Sequence, residues 1–319
     1  MKKILCVLMS CLLFVMAGCS GHSKNLKFGA ADIGGVYYSF ASTFTQLADK
    51  EIDGYTFETK TTAGSVANLR LISDGYIDLA IVQADLLSDA YNATGTFADK
   101  KYQKGYKAVA SLYTECCQIV VRKDSGITGI DDLINKTVSV GASESGSEKN
   151  AEQILKMSGI TDELINKVNM DYTEAAEKLK AGEIDAFFCT AGTRTEVIGQ
   201  LSKECDICLI SLDDKCIDKM LSAYSLCEKY IIPAGTYNGQ DSDVTTIGVK
   251  SVLIAKQSLS DDVIKKVTKT IYEHADDFKY ATSLDISFDI NTAADGVDIP
   301  FHSGAAADYA EHGINVSTE

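Results

Sequence analysis

The chain has 319 residues, 45% hydrophobic and 24% charged, with a formal net charge of −15 at neutral pH. That is a globular composition with enough chain for one large core or two modest ones. So acidic a surface argues against nucleic acid and anionic lipid headgroups as partners. It leaves an anionic small ligand open, because local dipoles rather than net charge govern a site.

The N-terminus is a separate object. Lys2 and Lys3 form a charged start, and Ile4 to Met16 form an apolar run too short for a good membrane span. Met16-Ala17-Gly18-Cys19-Ser20 resembles a bacterial lipobox, with Met16 in place of the more usual leucine. The expectation is a lipoprotein signal peptide over 1–18, lipid on Cys19, and a polar tether over 19–25. Ordinary signal cleavage with an incidental Cys19 is the competing reading.

Strands and helices then alternate. Leu26–Ala30 reads as a strand. Tyr37 to Ile52 is predicted helical, with Phe40, Phe44, Leu47 and Ala48 as its apolar stripe. Tyr55–Thr61 alternates like a strand, Ser65–Ser73 reads as a short helix, and Leu79–Gln83 and Lys107–Tyr113 as strands. The second half repeats the theme. Strands are expected at Ile119–Arg122, Thr137–Val140, Ala186–Cys189 and Ile207–Ser211. Helices are expected at Glu148–Met157 and at Tyr172–Ala181, the latter stopped by Gly182. Thr245–Ile254 is predicted as a long strand, Asp261–Ala275 as an amphipathic helix and Gly304–His312 as a last short one. Strand–helix alternation predicts parallel-sheet α/β units.

Two local patterns recur. Lys27-Phe28-Gly29-Ala30-Ala31-Asp32-Ile33-Gly34 is echoed by Ser139-Val140-Gly141-Ala142-Ser143-Glu144-Ser145-Gly146. Gly75-Tyr76-Ile77-Asp78-Leu79-Ala80-Ile81-Val82-Gln83 is echoed by Gly182-Glu183-Ile184-Asp185-Ala186-Phe187-Phe188-Cys189-Thr190. The pairing predicts two similar α/β lobes facing each other across a ligand cleft. Ligands of open α/β sheets bind beyond the carboxyl ends of strands. That places Gly34, Gly35, Val36 and Tyr37 on one wall, and Ser145, Gly146 and Ser147 on the other. Each group opens a helix whose first N–H groups and dipole suit an anion. Gln83 and Thr190 hold equivalent positions after the second echoed strands. Ser65 is either a helix cap or a ligand contact. Neither glycine loop matches a dinucleotide or P-loop fingerprint, so a nucleotide is not expected.

Beyond the first 18 residues and Cys19, the cysteines are Cys116, Cys117, Cys189, Cys205, Cys208, Cys216 and Cys227. Cys205-x-x-Cys208 has no second such pair, so structural thiols or a disulfide are favoured over a metal. His22, His274, His302 and His312 lie away from the glycine loops, and no nucleophile–base order is present. No catalytic residue, metal or cofactor is expected.

The residues also resemble a known family. Gly34-Gly35-Val36-Tyr37-Tyr38, Thr62-Ala63-Gly64-Ser65-Val66-Ala67-Asn68-Leu69-Arg70-Leu71 and Gly75 to Asp85 are its first blocks. Leu112-Tyr113-Thr114-Glu115, Val138-Ser139-Val140-Gly141, Ser145-Gly146-Ser147-Glu148, Ile232-Pro233-Ala234-Gly235-Thr236-Tyr237 and Pro300-Phe301-His302-Ser303-Gly304-Ala305 follow in order. From about Leu26 to Gly313 the chain resembles the TAXI-type solute-binding subunits of TRAP transporters (the TRAP-associated extracytoplasmic immunogenic family). The resemblance implies a type II periplasmic-binding-protein fold that closes on a small organic acid or amino acid, of the glutamate or 2-oxoglutarate kind. It also implies delivery to a TRAP membrane subunit at the cell membrane. The expected lobes are 26–114 plus 230–319, and 115–229, in a monomer.

The chain departs from the family pattern at Asp32, Ser39, Thr114, Ser143-Glu144 and Thr193-Arg194. Asp32, Glu115, Glu144 and Arg194 are therefore expected to border the cleft. Arg194 is the candidate for a ligand carboxylate, with an acidic neighbour for an ammonium group. A same-fold enzyme and a ligand-sensing surface lipoprotein are the alternative functions.

Overall fold

A computed structural model describes residues 23–98, 105–283 and 288–319. The expected signal peptide, the Cys19 lipid site and most of the tether lie outside the described residues.

The first unit runs β1 (Lys24–Gly29), α1 (Val36–Glu51), β2 (Tyr55–Lys60), α2 (Ser65–Ser73), β3 (Leu79–Gln83) and α3 (Ala84–Asn92). β1 lies between β2 and β3 and is parallel to both. β4 (Tyr106–Arg122) then leaves this unit and enters the next. There follow β5 (Thr137–Ser139), α4 (Gly146–Ser158), β6 (Asn166–Val168), α5 (Tyr172–Ala181) and β7 (Ala186–Ala191). β5 lies between β6 and β7, again parallel to both. The echoed segments are thus the central strand of each lobe and the strand beside it. α6 (Glu196–Glu204), β8 (Ile207–Leu209), α7 (Asp214–Ala223) and β9 (Cys227–Ile232) complete the second unit. β10 (Val244–Lys256) returns, followed by α8 (Asp261–Glu273), α9 (Ala275–Thr282) and α10 (Ser303–Glu311).

One continuous sheet connects the two units in the order β2-β1-β3-β10-β4-β7-β5-β6. Its two middle strands are long and antiparallel, 17 residues in β4 and 13 in β10. The outer strands of each unit keep the expected parallel α/β order, and the antiparallel crossing lies between them. A chain that crosses between lobes twice, out and back, must run antiparallel at the crossing. Lys107–Tyr113 and Ile119–Arg122, expected as separate strands, are the two ends of β4. The polar pair Thr114 and Glu115 breaks the apolar run where the strand passes from one core to the other. The expected helix Asp261–Ala275 ends at Glu273, and α9 starts anew at Ala275. α3, α6 and α7 were not expected.

The cores follow the same division. One apolar cluster gathers Leu26, Phe28, Phe40 and Phe44 with Val252, Ile254, Ile264 and Tyr309. Two others, around Val138, Ile154 and Phe188 and around Leu179, Phe187 and Ile198, fill the second unit. Each turns one face of its sheet segment away from water, the main favourable term in folding. Asn68 pins the cleft end of the first unit. Its Nδ2 donates to Ala30 O at 2.7 Å and Ile81 O at 2.9 Å, and its Oδ1 accepts from Thr62 Oγ1 at 2.7 Å. All seven cysteines among the described residues are free thiols, so the disulfide alternative is not taken up. Burial pushes the Cys117 thiol up to about 12. His302 caps α10 by accepting from Gly304 N at 3.1 Å.

Candidate functional site

The strand ends of both units meet at one cavity. Its walls include Asp32, Gly35, Val36, Tyr37, Gly64 and Ser65 from the first unit, and Ser145, Gly146, Ser147, Tyr172 and Thr190 from the second. Gln83 and Glu115 form the floor. About 30 Å³ of this cavity is open to the centre of a water molecule. The cleft is nearly shut.

Three helix N-termini converge on it: α1 at Gly35–Val36, α2 at Gly64–Ser65 and α4 at Ser145–Gly146. The first N–H groups of a helix lack intrahelical partners, and the dipole adds positive potential there. Gly64 opens α2 at φ 119°, a conformation that L side chains rarely adopt. A Cβ on it would lie 3.5 Å from Ser145 Cα, so the walls approach closely at this point.

Side-chain hydrogen bonds hold the walls. Ser65 Oγ accepts from Gln83 N at 3.1 Å, and Ser145 Oγ caps α4 by accepting from Glu148 N at 3.0 Å. In the second unit three groups close a ring. Tyr172 OH donates to Thr190 O at 2.9 Å, Thr190 N donates to Ser147 Oγ at 2.8 Å, and Ser147 Oγ lies 2.6 Å from Tyr172 OH. With the tyrosine proton committed to the carbonyl, Ser147 is the donor of that last bond.

The two walls also bind each other. Arg70 forms a two-pronged ion pair with Glu144, at 3.1 Å to Oε1 and 2.6 Å to Oε2. Ala67 N donates to Glu144 O at 3.0 Å, and Gln83 Nε2 donates to Asn150 Oδ1 at 3.1 Å.

Carboxyl groups set the electrostatics. Glu115 Oε2 accepts from Tyr37 OH at 2.8 Å and from Gln83 Nε2 at 3.3 Å. Burial nevertheless pushes its pKa up to about 8, against the opposing effect of those two bonds. Burial, reinforced by the Asp171 charge and opposed by the Tyr172 N–H, lifts Asp32 to about 6. Burial also lifts Asp85, just behind Gln83, to about 6. Among the described residues no Lys, Arg or His lines the cavity. Among the described residues no group of three or more His, Cys, Asp or Glu could hold a metal.

The structure brings Gly35, Val36, Tyr37, Ser65, Gln83, Ser145, Gly146, Ser147 and Thr190 to this cavity. It places Gly34 and Arg194 elsewhere, in a neighbouring polar crevice with Ser39, Glu196 and Lys203. Arg194 heads away from the cavity because the turn after β7 carries it, at φ 65°, toward α6. Of the acids expected at the border, Asp32 and Glu115 line the cavity, and Glu144 is engaged by Arg70 at its mouth. Tyr172 was missed. It opens a helix behind its cap Asp171, and no local motif marks it.

The fold and the inter-lobe cavity define the class: this is the two-lobed type II fold of periplasmic binding proteins. The chain belongs to the NMT1-like family, whose model matches residues 28–313. Among solved structures it is similar to PhnD1 from Prochlorococcus marinus in complex with methylphosphonate. That match has a TM-score of 0.58 and 12% identity, and covers 83% of this chain and 92% of that one. A putative L-cystine ABC transporter protein from Listeria monocytogenes matches with TM-score 0.52 and 15% identity, covering 82% and 94% of the two chains. An ancestral arginine-binding protein bound to arginine matches with TM-score 0.50 and 16% identity, covering 82% and 98%.

Proposed function

We propose that the protein captures a small organic anion or amino acid outside the cytoplasmic membrane and hands it to a transporter. The observation that carries this reading is the convergence of three helix N-termini on one cavity between two lobes. Backbone N–H groups and aligned dipoles suit a carboxylate without any cationic side chain. A solute touching both walls favours the closed arrangement over the open one, so binding energy drives closure. The chemistry is non-covalent. The lobes of this reading are 26–114 plus 230–319, and 115–229, with β9, Tyr237 and the start of β10 packing on the second lobe's cores, and β4 and β10 carry the hinge.

The resemblance to TAXI-type subunits supports a TRAP membrane partner, and the lipobox-like Met16-Ala17-Gly18-Cys19-Ser20 supports a lipid anchor on Cys19 of an extracytoplasmic protein, which this reading takes as a monomer. The similar proteins named above support solute binding in general. One of them is a putative L-cystine ABC transporter protein, which favours an ABC permease as the second reading of the partner. Co-purification of the chain with membrane subunits of either kind decides between the two.

The capture reading is tested by a thermal-shift screen of the unlipidated protein against amino acids and carboxylic acids. A ligand that binds only the folded state at about a hundredfold excess over its Kd adds about 2.7 kcal/mol of stability. Glutamate or 2-oxoglutarate is expected to raise Tm and to be recovered unchanged. Turnover of the bound compound would replace the capture reading with an enzymatic one.

A further inference from the structure

The cleft floor is rich in acceptors and poor in donors. Glu115 is only 3% exposed. Both of its hydrogen bonds, from Tyr37 and Gln83, go to Oε2, and neither reaches Oε1. Gln83 Oε1 is buried without a hydrogen-bond partner and lies against Gly146 on the opposite wall. Asp32 adds a second carboxyl to the cavity. The titratable groups facing Glu115 are Tyr37 on α1, Asp85 on α3, Tyr113 and Cys116 on β4, Tyr172 on α5 and Cys189 on β7. None is a cation. A buried carboxyl without a positive partner, beside an amide oxygen without a donor, costs stability until something supplies both.

We propose that Glu115 is the amine-recognition residue of the cleft, and that the solute carries a protonated amine together with its acid group. This deepens the capture reading and rests on it. The acid group of the solute lies at the helix N-termini. Its ammonium lies at Glu115 and Gln83 Oε1, with Asp32 adding negative potential. A plain dicarboxylic acid has no ammonium to offer Glu115 and would bring its second carboxylate toward Asp32.

The proton inventory follows. Before a solute arrives the Glu115 carboxyl holds its proton near pH 7, because burial lifts it to about 8. An arriving ammonium favours the ionised carboxylate, so that proton leaves for the buffer while the ammonium keeps its own. An acid without an amine releases no such proton.

The test is isothermal titration calorimetry near pH 7 in two buffers of different ionisation enthalpy. The probes are amino acids paired with their 2-oxo acids: glutamate with 2-oxoglutarate, alanine with pyruvate, leucine with its 2-oxo counterpart. An amino acid is expected to bind about thirtyfold or more tightly than its partner acid, with proton release. Glu115→Gln is expected to abolish both the preference and the release. Its carbonyl oxygen can still accept from Tyr37 and Gln83, which share one oxygen, and its melting curve checks that it folds. Equal binding of the 2-oxo acids, or a preference that survives in Glu115→Gln, overturns the assignment and leaves solute capture standing. Should that variant not fold, amino-acid binding to the wild type without proton release overturns it equally. No binding by either series removes the capture reading and this inference with it.

Discussion

Two acidic regions of the cleft are built in opposite ways. At the mouth, Glu144 is half-exposed and held by both prongs of Arg70, in a pair that ties α2 to the turn before α4. On the floor, Glu115 is buried, takes only neutral donors and faces no cation. The mouth is complete by itself, and the floor is complete only with a partner from outside. Water explains the difference. A half-exposed carboxylate is solvated and gains little from a partner, whereas a buried one is costly when charged and gains much.

The comparison breaks most visibly at the floor. Glu115→Ala removes the acceptor of Tyr37 OH, at a cost of about 1–3 kcal/mol, while Gln83 Nε2 keeps its bond to Asn150 Oδ1. Chemical denaturation is expected to show that loss, and a loss below about 1 kcal/mol would mean the floor tolerates an empty acceptor position.

A pH series sharpens the same contrast. Glu115 holds its proton to about 8 in the fold, against an ordinary value of 4.5. The native state therefore binds more protons than the unfolded one, and this contribution to stability is lost as pH rises through that window. Asp32 and Asp85, both near 6, add the same sign in wild type and variant alike. Calorimetric Tm of unliganded wild type should thus fall faster than that of Glu115→Gln between about pH 6 and 8. Parallel curves would show that Glu115 is already ionised.

The smallest effect belongs to the mouth. Arg70→Ala is expected to cost about 0.2–1 kcal/mol of stability, shrinking as salt is added. The readout that matters is solute release, which stopped-flow measurements should find faster because a tie between the walls is gone. Unchanged release would make the ion pair a surface contact without a role in closure.

Much of this arrangement was legible in the chain itself. The echoed strand–glycine–helix segments have a period and a chemistry that local physics dictates: apolar strand, turn glycine, open helix N-terminus. They and the helix starts just after them bring Val36, Gln83, Ser147 and Thr190 into one neighbourhood. The family blocks reached the same lobes. Tyr172 was not legible, because its part depends on reaching from the start of α5 to the end of β7, a contact across the sheet. Arg194 was misplaced for a similar reason. Only the left-handed turn after β7 sends it to the neighbouring crevice.

The two α/β units, their strand–helix order and the polar loops at their strand ends follow from the residue pattern alone. Those depend on patterns within a few turns of chain. Only the tertiary structure decided that two such ends face each other, that β4 and β10 cross antiparallel between them, and which acid lies in water and which does not. Glu115 and Glu144 are the same residue type, and burial alone separates them: one ends beneath both lobes, the other at their rim.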